Sequence, residues 1–308
     1  MDDPKLFTLD TAVHCPKCQA MFPPSEENFA SYFAQGEKQR CPSCKSQLNW
    51  WAMVVDALAS GFLGLQFAPI RAQATYAQVV MQPGTQASLD LGPLGVPDTA
   101  RVLYVNYTPG PPVPKDAEGT LMPLEIHSNT PDRQVSAKRP LALFPMPLGG
   151  APPDQQPVSV LIVWVDQASL GIPEAALLTA VEALHQGRYP EAIVSATAAV
   201  EVSLEPLLSD FLETFADSTS TREFLRRSNL AGQSDVLLPM VCGALGASPL
   251  PPDPAKAFRE LRRLRNKAAH EGHLPDGTTR QQLAEAVASA IFAVEHIHIV
   301  GQLAVSES

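Results

Sequence analysis

Positive charge is scarce in this 308-residue chain: 22 Lys and Arg stand against 32 Asp and Glu, for a net charge of −10. The deficit is distributed, so residues 1–65, 66–170 and 171–308 are each acidic on balance. That excludes broad electrostatic adhesion to nucleic acid, and any contact with RNA has to be local. A secretory leader is also lacking: the first residues are acidic and polar, with no apolar core before a small-residue cleavage site. The run from Trp50 to Ile70 carries one charge, Asp56, and is interrupted by Gly61, Gly64 and Pro69. A mid-span Asp costs about 2.5–3.5 kcal/mol on insertion scales, so the run predicts a buried helix followed by a strand. No membrane span is expected, and the expected compartment is the cytoplasm.

Cysteine is sparse too, with five in the chain. Four of them form two pairs, Cys15-Pro16-Lys17-Cys18 and Cys41-Pro42-Ser43-Cys44, with 22 residues between. Two Cys-x-x-Cys turns brought together offer four thiolates in a tetrahedron, the coordination zinc prefers. A cytoplasmic setting argues against paired disulfides, and the doubling argues against a single redox motif. The expectation is a structural zinc ion on Cys15, Cys18, Cys41 and Cys44, in a pattern that resembles a zinc ribbon. The loop between the pairs mixes Lys38 and Arg40 with Glu26, Glu27 and Glu37, so it is no basic DNA reader. Its Phe22, Phe29, Tyr32 and Phe33 suit packing on a neighbouring domain. Cys242, alone in a helical run, reads as a small buried apolar residue.

From about residue 66 to 170 the pattern changes. Short runs at Ala74–Met81, Ala87–Leu91, Arg101–Tyr107, Leu121–His127, Leu141–Phe144 and Val158–Val165 read as strands separated by Pro, Gly and Asp turns. Their spacing predicts an antiparallel β-sandwich, with Val158–Val165 as a central strand buried on both faces. No catalytic constellation falls in this region, which reads as a recognition or spacer module.

After Pro173 the apolar period becomes helical. Leu177, Val181 and Leu184 form one stripe, and Gly187 ends that helix. A longer helix begins near Tyr189-Pro190, carries Ile193, Ala196, Val200, Leu204 and Leu207, and contains Pro206. Shorter helices are predicted over Thr221–Arg227 and Val236–Leu245. Another is capped by Asp253, with apolar Ala257, Leu261, Leu264 and Ala268. The last runs from about Thr279 to Leu303 with Leu283, Val287, Ile291, Val294 and Ile297. Four principal helices with short links predict an antiparallel bundle over 171–308. The predicted organisation is therefore a ribbon with a following helix (1–65), a β-sandwich (66–170) and a helical bundle (171–308).

The chemistry concentrates in Arg265-Asn266-Lys267-Ala268-Ala269-His270. An imidazole moves protons near neutral pH, and a guanidinium holds phosphate with a planar fork. Arg259, Arg262, Arg263, Arg265 and Lys267 form the densest basic cluster on the chain and are candidates for contact with an RNA backbone. The alternative is a solvated face paired with Asp253, Glu260 or Glu271. Arg222, Arg226 and Arg227 form a second, weaker patch.

The motif resembles that of the HEPN superfamily, four-helix bundles whose catalytic members are metal-independent ribonucleases with Arg, four to six residues, then His. Gly187-Arg188-Tyr189-Pro190-Glu191-Ala192 and Ala198-Ala199-Val200-Glu201 resemble the start and the Ala-rich stretch of that family's second helix. The resemblance covers 171–308. It implies Arg265, Asn266 and His270 as catalytic residues, a homodimer through the bundle with paired motifs in one composite site, and an RNA substrate. Products would carry 2′,3′-cyclic phosphate and 5′-hydroxyl ends, with no catalytic metal. It also implies a regulated stress-response or antiviral effector, with a protein or nucleic-acid trigger read by the ribbon or the sandwich. Two alternatives stand beside it: a non-catalytic HEPN-like scaffold for dimerisation and nucleotide or protein binding, and a zinc-ribbon adaptor in transcription or repair. On a regular helix residues five apart lie about 140° apart. Arg265 and His270 therefore meet only if the helix unwinds before Gly272 or if two copies face each other.

Overall fold

The computed structural model describes residues 13–18, 20–22, 26–35, 40–41, 43–60, 72–82, 84–109, 124–128, 135–136, 140–147 and 156–306. The chain divides into two compact units, one joining Met1–Ile70 to Gly171–Ser308 and the other formed by Arg71–Leu170. The cysteine-bearing segment, expected as a domain of its own over 1–65, thus shares a unit with the C-terminal helices.

In the Arg71–Leu170 unit, β3 (Gln73–Met81), β5 (Ala100–Pro109), β7 (Val135–Ser136) and β9 (Gln156–Asp166) form one antiparallel sheet in the order β3-β9-β5-β7. A second antiparallel sheet takes β4 (Ala87–Leu89), β8 (Leu141–Pro147) and β6 (Leu124–Ser128) in the order β4-β8-β6. One core serves both sheets: Met81, Val102, Val158, Val160, Ile162 and Trp164 from the first meet Leu141 and Leu143 from the second. The β9 strand is central, and its alternate residues Leu161, Val163 and Val165 are buried as well. That double burial is why its sequence is continuously apolar rather than alternating. The Trp164 indole donates to Thr75 Oγ1 at 2.9 Å, so a core Trp keeps a partner for its N–H. The predicted strand start at Leu121–Pro123 lies outside the described residues.

The other unit opens with a small hairpin of β1 (Val13–His14) and β2 (Met21–Phe22), then α1 (Glu26–Gln35) and α2 (Trp50–Ser60). The helix predicted from Trp50 is present as α2, and the strand predicted after it lies outside the described residues. After the sheets come α3 (Ile172–His185) and α4 (Tyr189–Leu212). Gly187 sits at φ 74°, and Arg188 N–H donates to Ala183 O at 2.8 Å. This Schellman closure needs a left-handed residue, which Gly supplies without a Cβ clash. There follow α5 (Ser218–Arg227), a short turn α6 (Leu230–Gly232), a π-helical turn over Gln233–Leu237 and α7 (Leu238–Ala244). The unit closes with α8 (Pro252–Glu271) and α9 (Arg280–Ser306).

The α9 helix is the axis of this unit and packs against α1, α2, α3, α4 and α8. Its predicted stripe is buried at Leu283, Val287, Ile291, Val294 and Ile297, and so are the intervening Ala284, Ala286, Ala288, Ala290, Phe292 and Ala293. Small residues between large ones let several neighbours approach closely. Phe292 is clasped by the N-terminal helices, with ring centroids 4.9 Å from Phe29, 5.3 Å from Tyr32 and 5.2 Å from Trp51, all edge-on. Edge-to-face stacking adds about 0.5–1.5 kcal/mol per pair beyond area burial. By length and composition α4 and α9 are apolar enough to cross a membrane, but 83% of the α9 window and 50% of the α4 window are buried inside the protein.

The start of α8 corrects the expected cap. The helix begins at Pro252 with Pro251 in the capping position, and Asp253 lies in the first turn. Two prolines preset the entry φ and need no amide partner there, while the Asp253 carboxylate complements the helix dipole.

Candidate functional site

The four paired cysteines converge. Cys15 Sγ lies 3.8 Å from Cys44 Sγ, Cys18 Sγ lies 3.7 Å from Cys41 Sγ, and all four sulfurs fall within 4.8 Å of one another. A tetrahedral thiolate site with metal–sulfur bonds near 2.3 Å sets its sulfurs about 3.8 Å apart, so the cluster fits a metal ion. None of the four is in a disulfide. Equivalent turns hold the two halves: Cys15 N–H donates to Ala20 O and Cys41 N–H to Ser46 O, each at 2.8 Å. Lys45 takes the left-handed φ of 59° that lets its amide return to Cys41 O at 2.9 Å. The Cys44 amide points at Cys41 Sγ, 3.4 Å away. Burial works to raise the Cys15 thiol, but the amides of Cys18 and Lys17 and the Ser46 hydroxyl bring it down to about 6. Against the Ala20 amide, burial and the Cys44, Cys41 and Cys15 sulfurs push the Cys18 thiol the other way, up to about 12.

The second constellation is on α8. The helix stays regular through Glu271, and Gly272 closes it at φ 73° with its amide on Ala268 O. Unwinding before Gly272 does not occur, so within one chain Arg265 and His270 stand on different faces. Arg265 is turned toward α4, with its guanidinium 3.9 Å from Glu201 Oε1. Asn266 and His270 are exposed and one turn apart. Leu261, Leu264 and Ala268 are buried as predicted, whereas Ala257 is only half-buried and the adjacent Phe258 is buried instead.

Arg265 and Asn266 line a cleft of about 910 Å³. Arg259, Arg262 and Arg263 of α8 line it with them, and so do Arg222 and Arg226 of α5. The two basic patches, separate in sequence, are one patch in space. The acidic members of the lining are Glu201 and Glu205 of α4. Neither Lys267 nor His270 is among the lining residues. Lys267 pairs with Glu271, the i,i+4 arrangement of a solvated face, and this contact holds the Glu271 carboxyl below its usual range.

The arginines of the cleft are in different states. Arg262 is clamped: it donates to Ser234 Oγ at 2.8 Å and to Asp235 Oδ2 at 2.6 Å, and lies over the Phe258 ring at 5.5 Å. Its acceptors come from the π-helical turn, where one extra residue in the ladder re-aims side chains. Arg263 makes a two-pronged contact with Glu260 at 2.8 and 2.6 Å. Arg222, Arg226 and Arg259 take no hydrogen bond or ion pair with any described residue. Arg227 pairs with Glu223 and does not line the cleft. The α5 helix is held in place by Asp217, whose carboxylate accepts from Thr219 and Ser220 N–H at 3.0 Å and from the Ser220 hydroxyl at 2.7 Å. The sequence signals for α5 and for Asn229, which caps the next turn through Gly232 N–H at 2.8 Å, mark helix starts and do not show that they face α8.

Comparison with family models, with curated proteins and with solved structures finds no significant match to this chain.

Proposed function

We propose that the protein is a metal-independent endoribonuclease of HEPN type, acting as a homodimer, with a structural zinc ion on the four cysteines. The observation that carries this reading is the placement of Arg265 and Asn266 on the wall of an arginine-lined cleft, with His270 exposed one turn further along the same helix. In the reaction a base removes the ribose 2′-OH proton, the freed oxygen attacks the adjacent phosphate, and an acid protonates the leaving 5′-oxygen. His270 serves in proton transfer, a role worth about 10²–10⁴-fold. Arg265 stabilises charge growing on the phosphoryl oxygens, and Asn266 donates to them. Because α8 is regular, the Arg265 of one protomer works with the His270 of the other. Ends with 2′,3′-cyclic phosphate and 5′-hydroxyl follow from this chemistry. The ribbon and the sheets would then sense the trigger that releases the enzyme.

The test is cleavage of mixed RNAs by the zinc-loaded protein without added divalent ions, comparing the wild type with His270→Ala and Arg265→Ala. We expect cyclic-phosphate products from the wild type and a loss of at least about a hundredfold in either variant. Mixing the two inactive variants should restore part of the activity, since a heterodimer keeps one intact composite site. Binding of RNA with no cleavage, in a protein confirmed to be dimeric, would favour a non-catalytic scaffold. The regular α8 helix, which keeps Arg265 and His270 apart within one chain, is the feature that speaks for that second reading.

A further inference from the structure

We infer that the cleft between α5 and α8 is a binding site for a compact oligophosphate group, the triphosphate of a nucleotide or a free tripolyphosphate, seated on Arg222, Arg226 and Arg259. The cleft is the one whose wall carries Arg265 and Asn266, but the inference stands without the cleavage reading, because it uses Arg222, Arg226 and Arg259 of a single protomer. In a chain with a net charge of −10, these three guanidinium groups have no acceptor among the described residues. Arg222 and Arg226 are one turn apart on one face of α5, and both line the cavity. Arg259 faces the same cavity from α8. Three like charges gathered around one cavity repel one another, and an anion held between them removes that repulsion.

The surroundings make the arrangement a built one. Arg262 and Arg263, one turn beyond Arg259 on α8, are already paired with Asp235, Ser234 and Glu260, so their charge is matched. Arg265 lies 3.9 Å from Glu201 on the α4 side, which leaves the unpaired positive charge on Arg222, Arg226 and Arg259. Glu201 and Glu205 stand on the α4 side of the cleft and limit the anion to the α5–α8 side. The volume of about 910 Å³ falls in the range of small-molecule pockets, roughly 300–1,000 Å³. A polynucleotide carries its charges one per phosphate along an extended strand, whereas an oligophosphate presents three or four in one compact group. Forked guanidinium contacts suit the latter. Leu225, Leu230 and Ala231 line the cavity as an apolar surface beside the arginines, where a nucleoside can rest.

The experiment is isothermal titration of the full-length, zinc-loaded protein with sodium tripolyphosphate and, in a second arm, with ATP in the absence of divalent ions. One site per chain is expected, with affinity falling as salt is raised. Arg259→Gln and the double variant Arg222→Gln/Arg226→Gln should each weaken binding by about tenfold or more, the loss of a charge-assisted contact. Arg227→Gln, off the cleft and paired with Glu223, should bind like the wild type. Melting curves of each variant confirm folding. Equal affinity for the two probes assigns the site to the phosphate chain alone, and tighter ATP binding that Leu230→Asp abolishes assigns it to a nucleoside triphosphate. The inference fails if neither probe binds. It also fails if binding is untouched in Arg259→Gln, or if a single-stranded RNA occupies the three arginines and tripolyphosphate does not displace it. Loss of RNA cleavage alone would leave it standing.

Discussion

At the scale of single residues, partners decide what a side chain is free to do. Arg262 is the clearest case. The sequence groups it with its neighbours as a phosphate contact, yet its side chain is 14% exposed and holds the π-helical turn through Asp235 and Ser234. Arg262→Ala should cost about 1–2 kcal/mol, between the value of an exposed ion pair and that of a buried charged hydrogen bond. Chemical denaturation measures it, and Arg263→Ala, whose pair with Glu260 is well exposed, should cost less. His296 makes a second residue-scale prediction. It is buried in α9 and donates from Nε2 to Ser248 O at 2.8 Å, with burial pushing its pKa below the ordinary 6.5. The carbonyl can only accept, so Nε2 carries a proton, and burial keeps the ring neutral at neutral pH. In the unfolded chain the same ring protonates as pH falls through about 6.5, and in the folded protein it resists until lower pH. Its contribution to stability is therefore complete above 6.5 and lost as pH falls from there toward the folded value. The melting temperature should decline over that interval, and less steeply in His296→Gln.

At the scale of elements, the sequence was most legible where a period or a spacing is tied directly to backbone geometry. The two Cys-x-x-Cys turns are local devices, and their amide contacts at Ala20 and Ser46 follow from the turn itself. Removal of the proposed metal ion by a strong chelator should loosen the cysteine turns and expose Phe29, Tyr32 and Phe33, which circular dichroism and dye binding would register. Cys18→Ser should hold less than one equivalent of metal after dialysis. The stripe of α9 and the central β9 strand were legible for the same reason, since burial on one face or on two leaves different periods. The start of α8 was less so: Asp253 is a good capping residue, but Pro251 and Pro252 fix the entry before it is reached. The π-helical turn left no mark that a period could show, and its Asp235 accepts from Arg262, 27 positions further along the chain.

At the scale of the whole molecule, the chain comprises two units with separate cores. The sheets bury Met81, Val102, Leu141 and Ile162 in one cluster of their own. Arg71–Leu170 expressed alone should unfold in one cooperative thermal transition, because its core residues, among those described, all lie within that range. In the other unit the N-terminal helices are bound to the C-terminal ones through Phe292. Phe292→Ala should destabilise it by about 3–5 kcal/mol. It should also loosen α1 and α2, which hydrogen exchange at Trp50–Ser60 would report as faster exchange.

The amino-acid order by itself determined the four cysteines able to hold a metal ion and the strands and helices with strong periods. Each of these rests on contacts between neighbours a few positions apart, where chain geometry leaves little choice. Only the tertiary structure decided that α5 brings Arg222 and Arg226 to the arginines of α8, and that the aromatic residues of α1 and α2 close around α9. It also decided that Arg265 faces α4 while His270 faces outward. Those arrangements depend on which faces pack together across long separations, and the packing is settled by the sum of many small burials rather than by any one residue.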